Sequence, residues 1–315
     1  MVNVPDQASP STTRKLLGAL RHPRRTLPAV RRRVVSRVSR KTPESRRRLI
    51  LANVDVTGLG LEIGPSYNPL LPKSEGYRVR TADHLDRAGL VAKYEAQKRA
   101  TDRVEEVDYV LDGGRLASIE ERFDYIVASH VIEHTVCLVT FLQDCATLLR
   151  PGGVLVLAIP DQRYCFDRFR ERTGLARVVD AYRAGASAPT EGSVLEHFLC
   201  SVRREGRRSW PAGFHGAYQH AFGRPIVVDR RDRAVRGEHI DVHTWVFTPN
   251  HFRLLVRDLA AFGYITLREK AFHDTHGSEF YVTMSAEAGG PPLRRPELVR
   301  LAAAEASVRE PIVFA

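Results

Sequence analysis

The sequence predicts an α/β fold: a doubly wound, mostly parallel seven-stranded sheet with an antiparallel last strand and an inserted lid. Three observations carry this. Short apolar runs alternate with amphipathic helical runs from about residue 58 to 160, and the alternation resumes from 248 to 286, the rhythm of strand–helix–strand units. The first run, Gly60-Leu61-Glu62-Ile63, stops at Gly64-Pro65, and the second stops at Asp83, 19 positions after Gly64. A nucleotide-binding unit needs about 20 positions between its glycine turn and the carboxylate that takes a ribose hydroxyl pair. Four successive runs end on glycine or polar residues, and ligands of open parallel sheets sit at those carboxyl ends.

The elements follow in order. The first strand is expected at 58–63. Pro65, Pro69 and Pro72 rule out a long helix straight after it. Strands are expected at 77–82, 107–111 and 123–128, with a helix at 85–98 that turns Leu90, Val91 and Tyr94 inward. Leu138, Phe141, Leu142, Cys145, Leu148 and Leu149 recur at helical spacing and give a helix at 136–149. Pro151-Gly152-Gly153 then turns the chain into a buried central strand at 154–159. Residues 161–247 break the pattern, are rich in Arg and Gly, hold both tryptophans, and read as an acceptor lid. Thr248-Pro249 caps a helix whose buried face is Phe252, Leu255, Leu259 and Phe262. A hairpin at 264–272 and 278–284 closes the sheet, so the cofactor-binding domain is expected at 49–160 and 248–286. Residues 287–315 form a tail with a candidate helix at 295–307.

Hydrophobic content of 43% and charged content of 27% are those of a globular domain rather than a disordered chain. The charge is uneven: residues 1–50 hold fourteen Lys or Arg against Asp6 and Glu44, which accounts for the whole net charge of +11. Residues 1–48 are therefore expected to be a basic, flexible arm. A helix over Ala29 to Lys41, with Val30, Val34, Val35 and Val38 on one side, would suit an anionic membrane surface or a partner; a solvated arm is the alternative. The arm has no aromatic residue to stack on bases, so nucleic acid is not the expected partner. Cys137, Cys145, Cys165 and Cys200 form no C-x-x-C pair and read as reduced thiols. No apolar run reaches the ~20 residues of a membrane helix, and the expected location is the cytoplasm, with peripheral membrane contact open.

The strand ends carry the chemistry. Gly64 lets backbone pass close to a ligand because no Cβ stands in the way, and a carboxylate at Asp83 can accept two hydroxyl hydrogen bonds. There is no G-K-[ST] sequence, which excludes a P-loop. Carboxylates with no cation in the turn suit a nucleoside without pyrophosphate, of positive charge.

The stretches LEIGPSYNP at 61–69, TADHLD at 81–86, VDYVLDGG at 107–114, FDYIVASHVIEH at 123–134 and LLRPGGVLVLAIPD at 148–161 resemble the class I S-adenosylmethionine-dependent methyltransferases, in the branch that acts on small molecules and sugars. The resemblance implies a Rossmann-like methyltransferase fold and S-adenosylmethionine as cofactor. It places Gly64, with Glu62 and Pro65, beside the amino-acid end of the cofactor and Asp83 on the ribose. Asp112 and the Gly113 amide would meet the adenine, with Ser129 and His130 along the methionine portion. A single glycine followed by proline departs from the family's G-x-G-x-G.

A hydroxyl acceptor needs a proton removed, and His130, Asp161 and His243 are the candidate bases, with His134 as a cap, core or basic residue. His239 and His243 stand four apart, a metal spacing on a helix; the neighbouring Ile240, Val242, Trp245, Val246 and Phe247 make the stretch extended, so no metal is expected. Ser129-His130-Val131-Ile132 lacks the Asn-Pro-Pro-Tyr pattern of base-methylating enzymes. The expected function is O-methylation of a sugar, glycolipid or other small hydroxyl acceptor. The alternatives are an RNA methyltransferase using the arm, or an inactive scaffold at a membrane surface.

Overall fold

The chain enters the fold through α1 (Pro43–Leu51). Thr42 caps this helix: its hydroxyl accepts from the Ser45 amide, the Ser45 hydroxyl accepts from the Thr42 amide, and Pro43 fills the first turn. Ile50 is fully buried against the sheet. The fold therefore takes in residues 42–48, ahead of the expected start at 49: Arg46-Arg47-Arg48 belongs to a docked helix rather than to a free arm. The computed structural model describes residues 42–306 and 312–315, within one unit, Lys41–Ala315. The helix expected over Ala29 to Lys41 lies outside the described residues.

Strands β1 (Gly60–Ile63), β2 (Val79–Asp83), β3 (Tyr109–Val110), β4 (Phe123–Ser129) and β5 (Leu149–Pro160) run parallel. Helices α2 (Arg87–Ala96) and α3 (Leu138–Leu148) lie between them in sequence. The chain from Pro65 to Arg78 forms no α-helix, as its prolines require. β5 leads through 161–247 to α4 (Leu175–Arg183), α5 (Glu191–Cys200), the short antiparallel pair β6 (Val202–Arg204) and β7 (Tyr218–His220), and α6 (Arg224–Val235). Residues 238–248 return as a segment with neither helix nor strand. Then come α7 (Pro249–Ala261), β8 (Arg268–His276), β9 (Glu279–Ser285) and α8 (Arg295–Ala306).

The seven-stranded sheet has the order β3-β2-β1-β4-β5-β9-β8. β9 is antiparallel to β5, so the last strand in sequence is wedged inside the sheet and β8 takes the edge. Side chains alternate between two cores. Leu155, Leu157 and Ile159 of β5 join Ile126, Phe141, Leu142 and Phe252 on one face; Val154, Val156 and Ala158 join Tyr125, Ile50 and Leu71 on the other. Burying each such aliphatic side chain is worth about 1.5–3 kcal/mol, which fixes the strand register and the level of the strand tips. Among the described residues no helix is long and apolar enough to cross a membrane.

Candidate functional site

The carboxyl ends of β1, β2, β3 and β4 come level. Ile63 pairs with Ala82 on one side and Ala128 on the other, and Asp83 pairs with Val110. One residue further, Gly64 and Ser129 come level with Asp83 and Val110, and β1 and β4 flank the point where the strand order reverses. Gly64 adopts φ +67°, and a Cβ there would lie 2.9 Å from Val131 Cγ2, so the turn needs a glycine. The Gly64 amide donates to the Ala82 carbonyl at 2.8 Å, and Pro65 opens the turn closed by the Asn68 amide.

Asp83 is buried at the β2 tip. Its Oδ2 accepts from the Ser66 amide at 3.2 Å, and its Oδ1 accepts from the His84 amide at 2.8 Å and meets His84 Nδ1 at 2.5 Å. Asp112–Gly114 forms a single 3-10 turn just past β3, with Gly113 at φ +57°. Glu62 has a different task from the one expected. Both its oxygens accept backbone amides, of Leu70 at 2.8 Å and Leu71 at 3.0 Å. Burial, partly offset by those amides, pushes its pKa up to about 7. Glu62 builds the loop after Gly64.

The tip of β4 is a charge cluster. His130 sits in the left-handed region at φ +56°, a conformation that costs on the order of 1–3 kcal/mol for a non-glycine residue. Its Nε2 meets Glu279 Oε2 at 2.6 Å, and its Nδ1 lies 3.4 Å from Glu133 Oε1. Arg46 reaches in from α1: Nε donates to Glu279 at 2.6 Å, and a second guanidinium nitrogen donates to Ser129 Oγ at 2.5 Å. Burial opposes charge on His130, but the two carboxylates outweigh it and push the imidazole up to about 9. Burial would likewise raise Glu279, yet His130 and Arg46 hold it well below the usual carboxylate range.

His130 is thus an imidazolium at neutral pH and is no general base. Asp161 is not one either. It is fully buried, and its carboxylate is held by Arg163 at 2.6 Å and by Thr275 Oγ1 at 2.5 Å. It fixes the exit from β5. His243 is buried, and its Nδ1 is tied to Asp167 at 2.5 Å. Burial opposes charge on Asp167, but His243 and Arg170 hold its pKa far down. The stretch around His239 and His243 is not helical, so the two imidazoles do not stand one helical turn apart; it also forms no strand. His134 follows Glu133 in the 3-10 turn Ile132–His134, and its Nδ1 meets Asp241 at 2.7 Å.

The model of the methyltransferase domain family matches residues 39–256. This chain belongs to that family. Over 43 residues the methyltransferase is 49% identical to a ubiquinone biosynthesis O-methyltransferase of Parvibaculum lavamentivorans, covering 14% of this chain and 17% of that one. Over 37 residues it is 54% identical to the human mitochondrial ubiquinone biosynthesis O-methyltransferase, covering 12% and 10%. The chain thus spans 17% and 10% of the length of these curated relatives. Among solved structures, the DhpI complex with S-adenosylhomocysteine is 13% identical and covers 79% of this chain and 85% of that one, with a TM-score of 0.39. N-methyltransferase NodS of Bradyrhizobium japonicum, with the same ligand, is 16% identical and covers 76% and 85%, with a TM-score of 0.32.

The cofactor of this family is S-adenosylmethionine, and the strand tips of the methyltransferase fit it. Gly64 turns the chain at φ +67° with no side chain at the β1 tip, and the carboxylate of Asp83 stands at the neighbouring tip with lone pairs left for hydroxyl donors. Among the residues that sequence reasoning missed, Arg46 was masked by the basic run around it, although Thr42, Pro43 and Ser45 spell a helix start. Glu279, Asp167 and Asp241 carry no local pattern that would single them out.

Proposed function

We propose that this methyltransferase transfers a methyl group from S-adenosylmethionine to a hydroxyl of a small acceptor, such as a sugar or glycolipid, held between the strand tips and the 161–247 segment. The observation that supports the reading is the level register of β1, β2, β3 and β4, which brings Gly64, Asp83 and Ser129 level at neighbouring strand tips. The local likeness to two O-methyltransferases supports oxygen over nitrogen as the acceptor atom.

When bound, S-adenosylmethionine supplies a methyl group activated by its sulfonium. The chain's own residues position and shield. Gly64 admits the cofactor close to backbone, and Asp83 takes the ribose hydroxyls. Glu62 holds the Leu70–Leu71 loop closed, and Arg46 and His130 fix the β4 tip. Alignment of acceptor oxygen, methyl and sulfur is the main source of rate in such a displacement.

The test uses S-adenosylmethionine with a deuterated methyl group and a panel of sugars, glycolipids, phenols, amines and RNA. The expected product is a methyl ether carrying the label. Label found only on amine nitrogen or on RNA would overturn the reading.

A further inference from the structure

Of the three expected bases, Asp161 is locked by Arg163 and Thr275 and His130 is bonded to Glu279, while His243 belongs to a set of side chains arranged for another kind of chemistry. Glu133, His134 and His243 each place one ligand-capable atom within 4.8 Å of the others. Glu133 comes from the turn after β4 and His243 from the returning end of the 161–247 segment. The backbone holds the two together: the amides of Thr244 and Trp245 donate to the Glu133 carbonyl at 2.7 and 3.1 Å.

Two features separate this cluster from an ordinary buried charge network. The first is Glu133. Its side chain is 1% exposed, and neither carboxylate oxygen has a hydrogen-bond partner. A sealed carboxylate in that state is costly; the His130 imidazole at 3.4 Å offsets part of its charge and leaves both oxygens open to a further cation. His130 Nδ1, at 3.4 Å, lies too far for a good hydrogen bond.

The second is the way both imidazoles are backed. His134 Nδ1 faces Asp241 at 2.7 Å, and His243 Nδ1 faces Asp167 at 2.5 Å. Arg170 in turn holds Asp167 at 2.9 Å, and the His243 amide donates to His197 Nδ1 at 3.1 Å. A carboxylate on Nδ1 fixes the tautomer in which Nε2 carries the lone pair. That carboxylate–histidine pairing is the outer shell of metal-ligating histidines. Here it occurs twice, on the two imidazoles that share space with an unsatisfied carboxylate.

We propose that Glu133, His134 and His243 form a binding site for one divalent cation, of the Zn²⁺ or Co²⁺ class that two imidazoles and a carboxylate select. Three protein ligands leave coordination positions open. His134 is 35% exposed while His243 and Glu133 are sealed, so the open side is the His134 side. The cation's binding stands by itself. Its use rests on the hydroxyl chemistry proposed above: an acceptor oxygen filling an open position would lose its proton to solvent more readily. The oxygen lone pair would then form the O–C bond as the C–S pair returned to sulfur.

The test is a Co²⁺ titration of chelator-treated full-length protein, read by visible absorption and followed by displacement with Zn²⁺. One Co²⁺ per chain, with the spectrum of a low-symmetry nitrogen–oxygen site, is expected. His134→Ala and Asp241→Asn, checked for folding by circular dichroism, should each weaken uptake about 10–100-fold. His239→Ala should leave it unchanged. No saturable uptake by wild type, or uptake that survives in both His134→Ala and Glu133→Gln, overturns the site. Protein that takes up Co²⁺ here but labels no hydroxyl acceptor would overturn the acceptor reading and leave the cation site standing.

Discussion

The two sides of the cleft hold their carboxylates in different ways. On the β1–β2 side, Glu62 and Asp83 accept from backbone amides, and their partners are 8, 9, 17 and 1 residues away in sequence. On the β4–β9 side, Glu279, Asp167 and Asp241 are tied to cationic or imidazole side chains at separations of 233, 149, 76 and 107 residues. These partners are local: Asp83 also meets the imidazole of His84, the next residue, and still has lone pairs left for a ligand. Side-chain cations neutralise and lock their carboxylates. One side is thus prepared to receive hydroxyl groups, while the other is a rigid charged wall.

If the wall is locked by paired charge, removing one member should damage the fold most. Glu279→Ala leaves His130 and Arg46 without their shared partner, and it should cost about 3–5 kcal/mol of unfolding free energy in urea. A loss below about 0.5 kcal/mol would place this pairing among weak surface ion pairs. Asp161→Asn sharpens the same point. It should lower stability by about 1–3 kcal/mol through the weakened Arg163 and Thr275 contacts. It should leave kcat of the folded enzyme within about threefold, whereas loss of a general base would cost roughly 10²–10⁴-fold.

On the other side the effects should be local. Gly64→Ala forces a Cβ to 2.9 Å from Val131 Cγ2 at φ +67°, with an expected cost of about 1–3 kcal/mol. It should also weaken S-adenosylhomocysteine more than any acceptor. The smallest effect is a pH dependence. Glu62 titrates near 7 in the fold against 4.5 in the unfolded chain. A carboxyl raised in this way contributes stability that is full below about 4.5 and is lost as pH rises through 7. Wild type should therefore lose stability relative to Glu62→Gln between those values, on the order of 1–3 kcal/mol. A wild-type advantage that grows with pH would mean that the two amides keep Glu62 ionised throughout.

The same contrast explains what could be read from the sequence. The strands and helices of the sheet were legible because periodicity and punctuation are local: Gly64-Pro65 and Thr248-Pro249 each end or start an element. Pro151-Gly152-Gly153 is the exception: it reads as a turn in the sequence, but it lies inside β5, which runs from Leu149 to Pro160. The level tips of β1 and β2 were legible for the same reason, since Gly64 and Asp83 stand at a spacing that paired parallel strands impose. Glu62 was misread because its spacing fits a ligand contact equally well; only the amides of Leu70 and Leu71 show what it serves. The wall was not legible. Glu279 meets Arg46 only because β9 inserts beside β5, with β8 left at the edge, and no short-range pattern encodes that strand order. Arg46 itself looked like one more cation in a basic run. The pairing of Glu133 with His243 depends on a return path 110 residues downstream.

The account rests on Asp83 and Gly64 facing a single cofactor at the level strand tips. Calorimetric titration of S-adenosylhomocysteine into wild type and Asp83→Ala tests this most directly. One saturable site is predicted in wild type, and two lost charge-assisted hydrogen bonds predict a weakening of at least about 100-fold in a variant that still unfolds cooperatively. A folded wild type that binds no ligand, or an Asp83→Ala that binds as tightly as wild type, would contradict it.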